Sequence, residues 1–186
     1  MPFVKTEIPD LVVFEPRVFE DARGYFFESF NSKLFKDAGI NANFVQDNQS
    51  FSTKGVLRGL HYQLDPMAQS KLVRVLHGEV IDVAVDIRKG SPTFGKSFSI
   101  LLSAENKKQL YVPRGFAHGY AVLSETAIFF YKCDNFYSKE NERGFMFNDA
   151  LLNIDWGIDL HDAIISEKDL LNKSFAEAEM NFEYKK

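Results

Sequence analysis

The chain has 186 residues, 45% apolar and 26% charged, with a formal net charge of −4, which suits one soluble domain with a sizeable core and opposes nucleic-acid binding through a basic surface. Its single cysteine, Cys133, excludes an internal disulfide framework and fits a reducing, cytoplasmic setting. No apolar run nears the roughly 20 residues of a membrane helix, and Met1-Pro2-Phe3-Val4-Lys5 lacks the apolar stretch of a signal peptide.

Nineteen Phe against seven Tyr and one Trp point to an aromatic-packed β core, and the chain order agrees. Short runs rich in Val, Ile, Phe and Tyr, separated by turn residues, predict strands over 11–19 and 25–30. Asn31 to Gly39 reads as a two-turn helix with an Asn cap and a Gly stop. Further strands are predicted over 44–52, 56–63, 71–76, 79–88, 97–103, 109–112, 119–123 and 127–133. His77-Gly78 reads as a hairpin tip. In the following run Ile81, Val83 and Val85 share one strand face, while Asp82, Ala84 and Asp86 share the other, a small polar face able to border a pocket or to meet water. A second helix is expected from Ser166 to about Met180. Many strands and few helices, with no linker or repeat, predict a single mainly β domain over 1–186, a sandwich or jelly roll.

The four histidines are His61, His77, His118 and His161. Gly55-Val56-Leu57-Arg58-Gly59-Leu60-His61 and Pro113-Arg114-Gly115-Phe116-Ala117-His118 resemble the paired motifs of the cupin superfamily of jelly-roll barrels. A metal-binding cupin would carry a second His where Gln63 stands, with a Glu soon after, and Leu64-Asp65-Pro66-Met67-Ala68 offers none. Two imidazoles and an amide are a poor donor set for a divalent transition metal, so no metal is expected. His61 and His118 become candidates for proton transfer or ligand hydrogen bonding, or for ordinary strand histidines bonded to backbone.

At Arg58-Gly59-Leu60-His61-Tyr62-Gln63 the likeness sharpens. The chain closely resembles the dTDP-4-dehydrorhamnose 3,5-epimerases, metal-free cupins of deoxysugar biosynthesis. The likeness runs through the stretches 19–29, 44–48, 78–88, 91–95, 102–106 and 113–119. It implies a cofactor-independent isomerase acting on a dTDP-4-keto-6-deoxy sugar. Inverting carbons beside a ketone needs a base, an acid across the ring and a group holding the enolate charge between them. By resemblance these are His61 as base, Tyr131 as acid and Lys71 beside the enolate, with Asp169 orienting His61. From the residues alone Tyr131, within Ile128-Phe129-Phe130-Tyr131, reads as core, Lys71 as a solvated charge, and Asp169 as part of a helix cap begun by Ser166.

The resemblance also implies substrate contacts from Arg23, Arg58, His118 and Lys168, cationic or donor groups suited to a diphosphate. Glu28, Gln46, Asn48 and Glu142 fall where the family touches substrate. Tyr137 matches an aromatic that stacks on the base, with Phe26 near the same region. The segment carrying Arg23, Phe26 and Glu28 is expected to reach a neighbouring subunit's site, which implies a homodimer with exchanged N-terminal strands. Neither nucleic acid nor membrane is an expected partner. On a regular strand Arg58 and His61 point to opposite faces, so their convergence would need a bulge at Gly59.

Overall fold

The computed structural model describes residues 2–185. Among the described residues, eleven of the thirteen strands form two packed antiparallel sheets. The six-stranded sheet runs β1 (Phe3–Lys5), β2 (Val12–Phe14), β10 (Gln109–Val112), β7 (Lys71–His77), β12 (Thr126–Cys133) and β5 (Gln46–Thr53). The five-stranded sheet runs β13 (Glu142–Gly144), β6 (Leu57–Gln63), β11 (Phe116–Val122), β8 (Glu79–Asp86) and β9 (Ser97–Ser103). The remaining strands, β3 (Phe19–Asp21) and β4 (Gly24–Phe26), form a hairpin that joins neither sheet.

Alternation along the strands builds the core between the sheets. Val73, Val75, Leu110, Val112, Ala127 and Phe129 enter it from one side, and Val80, Ala84, Phe116, Tyr120 and Val122 from the other. The opposite face of the five-stranded sheet is covered as well. There Leu57, Leu60, Val83 and Val85 pack under Phe145, Phe147, Trp156 and Phe182. This explains why all of β11 is buried. Helix α1 (Ser32–Asp37) begins where predicted, with the Asn31 side chain accepting from the Lys33 and Leu34 amides, and it buries Phe35 against Phe14 and Leu72.

Two expectations change, and one left open is decided. His77-Gly78 is a corner, because β7 and β8 belong to different sheets. Gly78 turns it with φ +75°, and a Cβ there would meet Thr126 O at 2.1 Å. The second helix is one turn, α2 (Glu167–Leu170), followed by a 3-10 turn at Phe175–Glu177. Beyond α2 the chain makes single parallel bridges, Phe145 to Lys173 and Lys89 to Glu183, which hold it extended so that Phe175, Met180 and Phe182 can cover the sheet. The polar face of β8 points inward: Asp82 and Asp86 are both fully buried. β1 and β13, three residues each, carry no alternation long enough to predict them.

Candidate active site

Between the sheets lies a cavity of about 630 Å³. Its floor depends on an irregularity in β6. Arg58 stands opposite Tyr120 and His61 opposite His118, so three steps on β6 match two on β11. The extra residue is absorbed at Gly59, whose φ is +134°, and the bulge lets both Arg58 and His61 line the cavity while Leu57 and Leu60 both pack into the outer-layer cluster.

His61 Nε2 lies 2.6 Å from Asp169 Oδ1. With that nitrogen donating to the carboxylate, the other ring nitrogen keeps its lone pair. Ser166 caps α2 through its hydroxyl, which accepts from the Asp169 amide at 3.2 Å, so capping and pairing with His61 coexist. Burial opposes ionisation of Asp169, but the hydrogen bond and charge of His61, with the Ser166 contact and the Gly59 amide, outweigh it and hold the carboxyl below the ordinary aspartate value. His118 is fixed the same way: its Nε2 contacts both oxygens of buried Asp82, at 2.9 and 3.0 Å.

The six-stranded sheet supplies the opposite wall. Lys71 from β7 and Tyr131 from β12 line the cavity. Desolvation pulls the Lys71 ammonium below its usual value against the opposing fields of Cys133, Asp134, Asp82 and Glu142. Burial, reinforced by Cys133 and Tyr120 and countered by Arg58, pushes the Tyr131 hydroxyl up to about 12, so it keeps its proton at neutral pH. Asn48 lies beside Tyr131 in the β5–β12 register and donates to Cys133 Sγ at 3.7 Å. Gln46 stands just behind, donating to Asn48 Oδ1 at 3.1 Å and accepting from the Tyr137 amide at 3.2 Å.

One end of the cavity carries Tyr137, Glu142 and Lys168. The Tyr137 hydroxyl donates to Glu142 Oε2 at 2.9 Å, and Lys168 pairs with the same carboxylate. Burial of Glu142 works against ionisation, but these partners and His61 keep its carboxyl below the ordinary range. Arg23, Phe26 and Glu28 are not brought here. They lie exposed on or beside the β3–β4 hairpin, with Arg23 donating to Asp21 at its own strand end.

Gln63 is spent on structure: its amide donates to Met67 O and Phe136 O and accepts from the Ser138 amide. Among the described residues no three His, Cys, Asp or Glu side chains are grouped to hold a metal ion. Two cavity groups escaped sequence reasoning. The Tyr120 ring stacks on Phe129 with centroids 4.1 Å apart, and its hydroxyl meets Ser50 Oγ at 2.9 Å. Ser50 belongs to the alternating polar stripe Gln46, Asn48, Ser50, Ser52 on β5, a period-2 pattern that was legible but inverted: these polar side chains face inward while Phe51 is exposed.

A family model described as dTDP-4-dehydrorhamnose 3,5-epimerase matches residues 5–177. The chain belongs to this epimerase family. It is 58% identical over 180 residues to the dTDP-4-dehydrorhamnose 3,5-epimerase of Shigella flexneri, covering 96% of this chain and 98% of that one. The crystal structure of the Elizabethkingia anophelis enzyme of the same name is 58% identical and superposes with a TM-score of 0.92, covering 94% of this chain and 96% of that one. A dTDP-6-deoxy-D-glucose 3,5-epimerase from Legionella pneumophila, in complex with dTDP-4-keto-L-rhamnose, is 46% identical with a TM-score of 0.94 and covers 99% of this chain and 98% of that one. The cupin-type β-sandwich and the isomerase class of this epimerase-family chain rest on these likenesses together with its two-sheet architecture. Among the described residues no helix is long and apolar enough to cross a membrane.

Proposed function

We propose that this chain inverts C3 and C5 of dTDP-4-dehydro-6-deoxy-D-glucose to give dTDP-4-dehydro-L-rhamnose, which a following reductase would convert to dTDP-L-rhamnose. One observation carries the reading. A carboxylate-oriented imidazole on the five-stranded sheet faces an ammonium and a protonated phenol on the six-stranded sheet, all within one cavity.

The ketone at C4 acidifies the hydrogens on C3 and C5. His61 removes one, with Asp169 holding the ring and stabilising the imidazolium. The electron pair passes to the C4 oxygen as an enolate, and the Lys71 ammonium meets that charge in a dry site, where it is worth far more than in water. Tyr131 then delivers its proton to the opposite face of the carbon, and the ketone reforms.

Arg58, Lys168 and His118 hold the diphosphate and sugar oxygens, Glu142, Gln46 and Asn48 make polar contacts, and Tyr137 stacks on thymine. The exposed hairpin with Arg23, Phe26 and Glu28 serves the site of a partner subunit in a homodimer. The four groups and their anchors use no cofactor, and the reaction is expected in the cytoplasm. Incubation with the keto sugar in deuterated water tests the function. Label is expected at both C3 and C5; exchange at one carbon alone would mean a mono-epimerase, and dTDP binding without exchange would mean a silent sugar-nucleotide-binding cupin.

A further inference from the structure

Two aspartates on the inner face of β8 are equally buried and held in opposite ways. Asp86 is saturated: its oxygens accept from the Arg88 amide and guanidinium and from the Ser91 and Thr93 hydroxyls. Asp82 is just as inaccessible, yet among the described residues its two oxygens share one donor, Nε2 of His118. A carboxylate taken out of water on a single N–H costs stability. The fold alone would be better served by an apolar side chain between the sheets, so the reason for Asp82 lies in what it does to His118.

His118 stands opposite His61 in the β11–β6 register and lines the same cavity. Each imidazole leans on its own carboxylate through Nε2, His61 on Asp169 and His118 on Asp82. A carboxylate only accepts, so Nε2 of His118 carries a proton and, in the neutral ring, Nδ1 keeps a lone pair. Among the described residues that Nδ1 has no hydrogen-bond partner, and it is not one of the atoms sealed from solvent. Arg58, Lys71 and Tyr131, which line the cavity with it, present donors. A sugar hydroxyl seated among them needs an acceptor, and the Nδ1 lone pair supplies one.

We propose that Asp82 is a positioning residue of this site, which locks His118 in the tautomer with its proton on Nε2 so that Nδ1 accepts a hydrogen bond from a hydroxyl of the bound sugar. Asp82 itself does not touch the substrate. The sugar contact rests on the epimerase reading above, whereas the tautomer is a property of the protein without ligand.

Nitrogen-15 NMR of the histidine rings in the ligand-free protein, at a mildly alkaline pH where the ring is neutral, reads the tautomer. The His118 signals, assigned by their loss in His118→Gln, should show a protonated Nε2 and a bare Nδ1. Asp82→Asn, whose amide can donate as well as accept, should mix the two tautomers. A parent ring with its proton on Nδ1 would overturn the proposal.

Kinetics then test the consequence. Asp82→Asn should bind dTDP within about 2-fold of the parent and lose about 10-fold or more in kcat/KM for the keto sugar. Weakened dTDP binding would put His118 on the diphosphate and overturn its role as acceptor, and a folded variant with parental kcat/KM would overturn the role of Asp82. Asp82 also favours the Lys71 ammonium through its charge, and a double-mutant cycle separates that route. His118→Gln keeps a donor for Asp82 but removes Nδ1, so adding Asp82→Asn to it should change turnover by less than about 2-fold. Losses that multiply would mean that Asp82 acts through Lys71 or the fold instead. Absence of label at either carbon in the parent would overturn the epimerase reading and leave the tautomer result standing.

Discussion

Gly59 and Gly119 lie back to back: a Cβ built on Gly59 would fall 2.6 Å from Gly119 Cα, and one on Gly119 would fall 2.7 Å from Arg58 O. This contact lets β6 and β11 close together at the bulge that turns Arg58 and His61 to the same side. Gly119→Ala should therefore cost about 1–3 kcal/mol of stability through backbone overpacking, measured by urea unfolding. It should also lower the exchange rate by about 100-fold through misplacement of His61. An alanine variant with parental exchange would mean that the close approach does not set the base.

Asp169→Asn keeps the shape beside His61 but removes the charge that steadies an imidazolium. Turnover is expected to fall by about 10²–10⁴-fold with little change in dTDP affinity. The carboxyl of Asp169 lies below the ordinary value of 3.8 when folded. Its ionised form therefore adds stability that is complete above the unfolded value and is lost as pH falls through the lower folded one. The stability gap between parent and variant, followed by denaturation from pH 7 to 3, should be flat at first and shrink only at the acidic end. A gap that shrank already near neutral pH would contradict the low carboxyl value.

Tyr131→Phe separates proton removal from inversion. His61 is untouched, so deuterium should still enter the substrate by return to the original face, while inverted product falls by about 10²–10⁴-fold. Equal loss of wash-in and inversion would count against Tyr131 as the dedicated acid. The parent enzyme should show no alkaline loss attributable to this hydroxyl through mildly alkaline pH, because burial holds it at about 12.

How much of this was legible differs by residue. The inner strands were, because Val73, Val75, Phe129 and Ala127 alternate with outward neighbours. The 31–39 helix was, through its Asn cap and Gly stop. The His77-Gly78 corner was misread because a glycine turn looks alike whether the chain pairs back on itself or crosses to another sheet. Tyr131 is indistinguishable by pattern from the core phenylalanines beside it. Only its place next to Asn48 and its cavity-facing hydroxyl separate it, and both depend on pairing across 83 residues of chain. Asp169 meets His61 across 108 residues, a contact that no local spacing encodes. The inward polar stripe of β5 was visible as period 2, but which face is inside is decided by the sheet order and not by polarity.

The β3–β4 hairpin yields a prediction that depends on whose site it serves. Phe19, Tyr25 and Phe26 on it are 50%, 60% and 68% exposed, and among the described residues Arg23 finds only Asp21. A chain with Arg23→Ala and Phe26→Ala should lose substrate binding, and a His61→Ala chain should lose exchange. If the hairpin completes the partner's site, a mixed dimer of the two holds one doubly damaged site and one intact site. Random 1:1 mixing then restores about a quarter of parental activity. If the hairpin serves its own chain, every site in the mixed dimer carries one defect and activity stays at background. Unfolding and remixing the purified variants, with exchange measured against each alone, distinguishes the two arrangements.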